Sequence, residues 1–298
     1  IVAGITTVVF TYFLVLELFK HSIPDTGHKS LALIASLLVA IEPWSFFLSR
    51  GAFEANLALA FFIAGVYFFL KSFQNSKYIL LSCLFLGLTV WTYNSYRLFT
   101  PLFLICLVII FSKRIQNIYQ KNKPTIHYSL IIILFFFLPM FYQLVNPVGK
   151  ARYEWVSIIN DGAIAQINEQ RVSSSLSPNI SKFVYNKVTY FIPRFTRNYI
   201  SHFTSSFLFT KGGTHYQFSV PQNGLIYLIN APFLLMGIYL LIKRKNSVSY
   251  MLLSWFLLAP IPSSLTREAP HVLRSIVILP IPMIITSFGL ISTYSFLM

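Results

Sequence analysis

Long apolar runs separated by short polar stretches set the pattern of this chain. A bilayer crossing takes about 20 mostly apolar residues, with some tolerance. Runs of this kind cover 1–19, 30–47, 56–70, 78–91, 100–111, 128–145, 225–242, 250–262 and 275–298, the fifth and eighth being short. Pro43, Pro101, Pro139, Pro232, Pro260, Pro262, Pro280 and Pro282 lie in or beside them. Membrane helices tolerate such prolines where neighbouring helices or polar side chains satisfy the freed carbonyls. The pattern predicts an all-α polytopic membrane protein with about nine transmembrane helices.

Composition agrees. Of the 298 residues 56% are hydrophobic and only 10% charged, against roughly 25% charged in a soluble domain. The net charge of +15 raises the question of nucleic acid, but the basic residues sit mostly in short loops between apolar runs. Membrane lipid is therefore the expected partner, and nucleic acid is not. Cys83 and Cys106 fall inside apolar runs, where packing explains them better than a disulfide framework or a metal cluster. The chain opens on Ile1 inside one run and closes on Met298 inside another. With no basic segment before Ile1, that run does not read as a signal peptide, and the chain is expected to be a fragment.

Charge then orients the runs. Lys20, Lys29, Lys71, Lys77, Lys113, Arg114, Lys121, Lys123, Lys243, Arg244 and Lys245 occupy one set of connections, while the short loops of the other set hold Arg50, Arg97, Arg267 and Arg274. The positive-inside rule makes the first set cytoplasmic. The stretch 146–224 is rich in Ser, Asn and Tyr and falls on the outer side. Loops of this length are seldom idle, and they largely escape the charge rule. The expected organisation is transmembrane helices in 1–145, a mostly helical extracytoplasmic cap in 146–224, and C-terminal transmembrane helices in 225–298. The expected location is the plasma membrane.

The polar residues beside the runs gather on the outer side. They are Glu42, Arg50 and Glu54, then YNSYR (93–97), then TREAPHVLR (266–274), and no charge falls near the middle of a run. Transporters and proton relays need such midplane charges. A site at one interface suits a substrate with a lipid tail and a charged head. Arg50 and Glu54, four apart, either pair on one helical face or leave Arg50 to grip an anion, since a guanidinium fork donates two hydrogen bonds to phosphate. Glu42, just before Pro43, reads as structural. Tyr93, Tyr96 and Arg97 form either an interfacial belt with a snorkelling anchor or a sugar subsite. His271 and Arg274, three apart before the last run, suit a phosphate clamp. Glu17 is expected to pair locally with Lys20. No Walker loop, dinucleotide fingerprint, HExxH or CxxC occurs. No cofactor is expected, and a divalent metal stays open.

Several stretches taken in order resemble a known family. PWSFFLSRGAFEANLALAFFIAGVYFFLK (43–71), TYNSYRLFTPL (92–102), NYISHFTSSFLFTKGGTHYQFSVPQNG (198–224) and LTREAPHVLRSIVILP (265–280) are similar to bacterial integral-membrane glycosyltransferases of the C superfamily. That group includes protein O-mannosyltransferases and the lipid A aminoarabinose transferase. The resemblance implies inverting transfer of a sugar from a polyprenyl-phosphate donor to a protein, lipid or glycan acceptor on the outer face. It matches Arg50 and Glu54 to the family's outer-loop arginine and acid, and His271 and Arg274 to its late basic motif. It places the general base on an aspartate upstream of Ile1. The alternatives are a polysaccharide polymerase or ligase using a polyprenyl-linked donor, and a lipid or solute transporter.

Overall fold

A computed structural model describes residues 1–20 and 25–297. Met298, the last residue of the expected 275–298 run, lies outside the described residues. The described residues are mostly helical and contain no strand, only an isolated bridge between Ser157 and Thr266. Helices α1 (Val2–Phe19), α2 (Asp25–Ile41), α3 (Pro43–Arg50), α4 (Glu54–Lys71), α5 (Tyr78–Thr92), α6 (Asn94–Ile110), α7 (Ser112–Lys121) and α8 (Lys123–Val145) come from the first apolar half. The stretch 146–224 folds into α9 (Pro147–Val156), α10 (Asp161–Ser173), α11 (Pro178–Val184) and α12 (Lys187–Ser201), followed by a short π turn and irregular backbone. Helices α13 (Ala231–Arg244), α14 (Ser247–Leu258), α15 (Ile261–Ser264) and α16 (Ile281–Leu297) complete the chain.

Packing makes one continuous bundle. Helix α4 lies between α1 and α5, α5 also meets α6 and α8, and α1 meets α2. Helix α16 packs on both α2 and α13, while α14 lies against α6. The core is aromatic at its centre. Phe62 stands edge-on to Trp255 at 4.8 Å and near Phe99 at 5.2 Å, and the Trp255 indole N–H donates to the Val277 carbonyl at 2.6 Å. The α13–α16 crossing rests on two glycines. A Cβ on Gly237 would stand 2.1 Å from the Ile285 oxygen, and one on Gly289 2.0 Å from the Phe233 oxygen. Only hydrogen at both positions lets the backbones approach this closely.

Among the described residues, four stretches are long and apolar enough to cross a membrane: Val2–Phe19, Glu54–Lys71, Lys123–Val145 and Ile276–Tyr294. The total becomes six if two bent pairs each count as one crossing, α2 with α3 at 56° and α6 with α7 at 80°. Their outward faces fit such a role. Ile5, Val9 and Phe13 on α1, and Ile131, Phe135 and Leu138 on α8, stand exposed in helical register, an arrangement suited to lipid. The other three expected crossings, 78–91, 225–242 and 250–262, are helices of 15, 14 and 12 residues. The 225–242 run is shortened because residues 225–230 leave the α conformation to meet the α2–α3 break. The 250–262 run stops where Pro260 and Pro262 start a new turn.

Candidate functional site

The α2–α3 break positions the first part of the site. Pro43 opens α3 and forces the preceding Glu42 into extended backbone, with ψ at 139°. Glu42 is fully buried, and its carboxylate accepts the Tyr227 N–H at 2.8 Å and a hydrogen bond from Asn230 Nδ2. The Trp44 N–H donates to the Leu225 carbonyl at 3.1 Å, and the Tyr227 hydroxyl to the Ile41 carbonyl at 3.3 Å. The break is therefore sewn to the 225–230 segment. Glu42 is structural, as its place before Pro43 suggests.

Between these strips of chain opens a cleft of about 740 Å³. Ile41, Phe46, Phe53, Phe209, Ile226 and Leu228 make its walls apolar, with Arg50, Gln217 and Asn223 as polar members. Arg50 is exposed and lies over the Phe46 ring at 5.6 Å. The helix stops at Gly51 and restarts at Glu54, so the i,i+4 geometry is lost and Arg50 makes no ion pair with Glu54. Of the two readings of that spacing, pairing does not occur, and the guanidinium stands at the cleft. Glu54 is exposed in the first turn of α4.

A second group forms on the 263–275 segment. Arg274 donates from Nη1 to Thr266 Oγ1 at 2.8 Å and from Nη2 to Glu268 Oε2 at 3.0 Å. Its backbone N–H lies 3.3 Å from His271 Nδ1. The buried His271 ring sits 5.5 Å from that of His215 and 5.1 Å from Phe218. Burial, then the Arg274 guanidinium and His215, push the His271 pKa down to about 4, so the ring is neutral at neutral pH. His215, Glu268 and His271 can bring three ligand atoms within 4.8 Å of one another.

The segment is held from behind. The Arg267 N–H donates to the Val156 carbonyl at 2.9 Å and the Ile158 N–H to the Leu265 carbonyl at 3.1 Å. Asn198 Nδ2 donates to the Thr266 carbonyl at 2.9 Å. His202 is buried, with Nδ1 2.8 Å from the Asn198 oxygen and Nε2 2.9 Å from Ser263 Oγ. A carbonyl can only accept, so Nδ1 carries the proton and Nε2 accepts from the Ser263 hydroxyl. That hydroxyl in turn accepts the His271 N–H at 3.3 Å. Burial pushes the His202 pKa down to about 4.

Phe218 joins the two parts, standing 5.4 Å from Phe53 at the cleft and 5.1 Å from His271. Tyr93, Tyr96 and Arg97 lie elsewhere, at the α5–α6 junction. Tyr96 is fully buried against Phe62, and Arg97 Nε donates to the Val90 carbonyl at 3.1 Å. Sequence reasoning did not single out His202, His215, Gln217, Asn223 or Glu268. All but Glu268 lie in irregular or cap positions of the 198–224 stretch, where no periodicity marks them. No protein-family model matches the chain, and no curated protein matches it.

Proposed function

We propose that this protein transfers a sugar from a polyprenyl-phosphate donor to an acceptor on the outer face of the plasma membrane, with inversion at the sugar carbon. The observation that carries the reading is the cleft, which combines apolar walls with an exposed guanidinium that makes no ion pair with an acid among the described residues. A polyprenyl chain fits the first feature and a phosphodiester the second. In this reading the short α5, α13 and α14 complete nine crossings, and the side bearing Arg50, Arg97, Arg267 and Arg274 faces outward.

The chemistry is a displacement. The acceptor hydroxyl forms the new bond to the anomeric carbon as the bond to the phosphate oxygen breaks. The lipid phosphate departs with its electron pair, stabilised by Arg50 and Arg274, and the hydroxyl proton passes to a carboxylate. Glu42 is poorly placed for that proton because both its oxygens already accept hydrogen bonds. Tyr93, Tyr96 and Arg97 take no part in this reading, because they stand apart from the cleft at the α5–α6 junction and Tyr96 is fully buried.

The test is transfer by the full-length protein from a membrane extract of polyprenyl-linked sugars. Arg50→Ala and Arg274→Ala are each expected to lose about 2–5 kcal/mol of transition-state stabilisation if a desolvated charge pair is broken. Lys at either position should restore only part, since it keeps charge without the fork. Full activity in both alanine variants would defeat the proposal.

A further inference from the structure

We propose that His215, Glu268 and His271 form a site for one divalent transition-metal ion of the zinc class, where the 211–227 segment meets the 266–274 segment. Ligand atoms from all three can lie within 4.8 Å of one another, and no other such group of His, Cys, Asp and Glu occurs among the described residues. Two imidazoles and one carboxylate are borderline donors that suit zinc, whereas calcium and magnesium prefer oxygen alone.

The geometry needs a small adjustment. Zinc bonds of about 2.0–2.1 Å in a tetrahedron put ligand atoms about 3.3 Å apart, so a trio lying within 4.8 Å has to close by at most about 1.5 Å. His215 and Glu268 are exposed and able to move, while His271 is the buried, fixed member packed on Phe218. Ligation through His271 Nδ1 displaces the long contact from the Arg274 N–H. Ligation through Nε2 puts the ring proton on Nδ1 and gives up the same contact. Either way the loss is one 3.3 Å hydrogen bond.

The surroundings resemble a second coordination layer. Glu268 Oε2 accepts from Arg274 at 3.0 Å, and Arg274 is itself anchored on Thr266 at 2.8 Å. The carboxylate is thereby oriented, and its other oxygen stays available to the ion. Three protein ligands leave zinc a fourth position. With Arg274 beside a dication and only one carboxylate, the site remains positive, so the fourth ligand is expected to be an anion such as hydroxide or a phosphate oxygen. The site rests on these distances, not on the transferase reading, and its test reads metal binding instead of turnover.

The full-length protein in detergent, stripped with a chelator, is titrated with Co²⁺ as a visible probe and then with Zn²⁺ as competitor. One equivalent of Co²⁺ should bind, with its absorption abolished by Zn²⁺. His215→Ala and Glu268→Gln should each weaken binding by at least about 10-fold. His215→Ala should leave the melting temperature of the metal-free protein unchanged, because that side chain is exposed. His127→Ala, on the exposed face of α8, should bind as the wild type does. The proposal is overturned if the wild type shows no saturable binding. It is equally overturned if the His215→Ala/Glu268→Gln double variant binds as tightly as the wild type, or if His127→Ala abolishes binding.

Discussion

Replacing Glu42 tests whether the cleft wall is held by polar stitching or by apolar contact alone. The side chain is fully buried, and its two oxygens take hydrogen bonds from the Tyr227 N–H at 2.8 Å and from the Asn230 amide. Glu42→Ala removes both acceptors and strands two donors among buried neighbours. Each stranded donor costs about 1–3 kcal/mol, so the expected loss is about 2–6 kcal/mol, with a cavity term in addition. Glu42→Gln keeps one acceptor and turns an NH₂ toward a donor, so it should lose about half as much. The assay is thermal unfolding in detergent, where 1 kcal/mol corresponds to roughly 2–4 °C for a chain of about this size. Limited proteolysis of the 209–228 stretch adds a local readout, since unpinning Tyr227 and Asn230 should expose it first. Wild-type melting and wild-type cleavage in Glu42→Ala would refute the reasoning and leave apolar packing as the sole support of the break.

A second prediction concerns pH. His202 has a folded pKa near 4, below its ordinary 6.5, so the unfolded chain binds the extra proton first. Its contribution is unpenalised above pH 6.5 and is lost as pH falls from 6.5 through about 4, reaching about 3 kcal/mol. His271 acts in the same direction, so His202→Gln should flatten only part of the melting-temperature slope over that range, and an unchanged slope would reject the assignment. A third prediction tests orientation in intact cells expressing a Cys-free variant. Single cysteines at the exposed Glu169 and Gln222 should react with impermeant thiol reagent, and those at the exposed Asn75 and Lys245 should not. The reverse pattern would invert the topology.

Helical class was open to sequence reasoning because it depends on local composition. The run 1–19 became Val2–Phe19, and 56–70 became Glu54–Lys71. Glu17 pairs with Lys20 as their spacing on one helix predicts, and Gln74 joins Glu17 at 2.6 Å. What escaped was every feature set by partners distant in sequence. Residues 225–230 are as apolar as a helix interior, yet their backbone turns aside because Trp44 and Glu42 compete for it. Arg50 and Glu54 have helical spacing, but spacing implies contact only on an unbroken helix, and Pro43 and Gly51 bound α3 too tightly for that. His271 and Arg274 do come together as their spacing suggests. Their further partners depend on a loop 56 residues earlier, which delivers His215, and on Glu268, whose carboxylate meets the guanidinium from outside any helical register. Local pattern therefore locates the edge at which charged residues collect. Whether a given cation there is neutralised or left available for an anion is decided by where the helices break. Here α3 ends one turn short of Glu54, which leaves Arg50 at the mouth of an apolar cleft instead of in an ion pair.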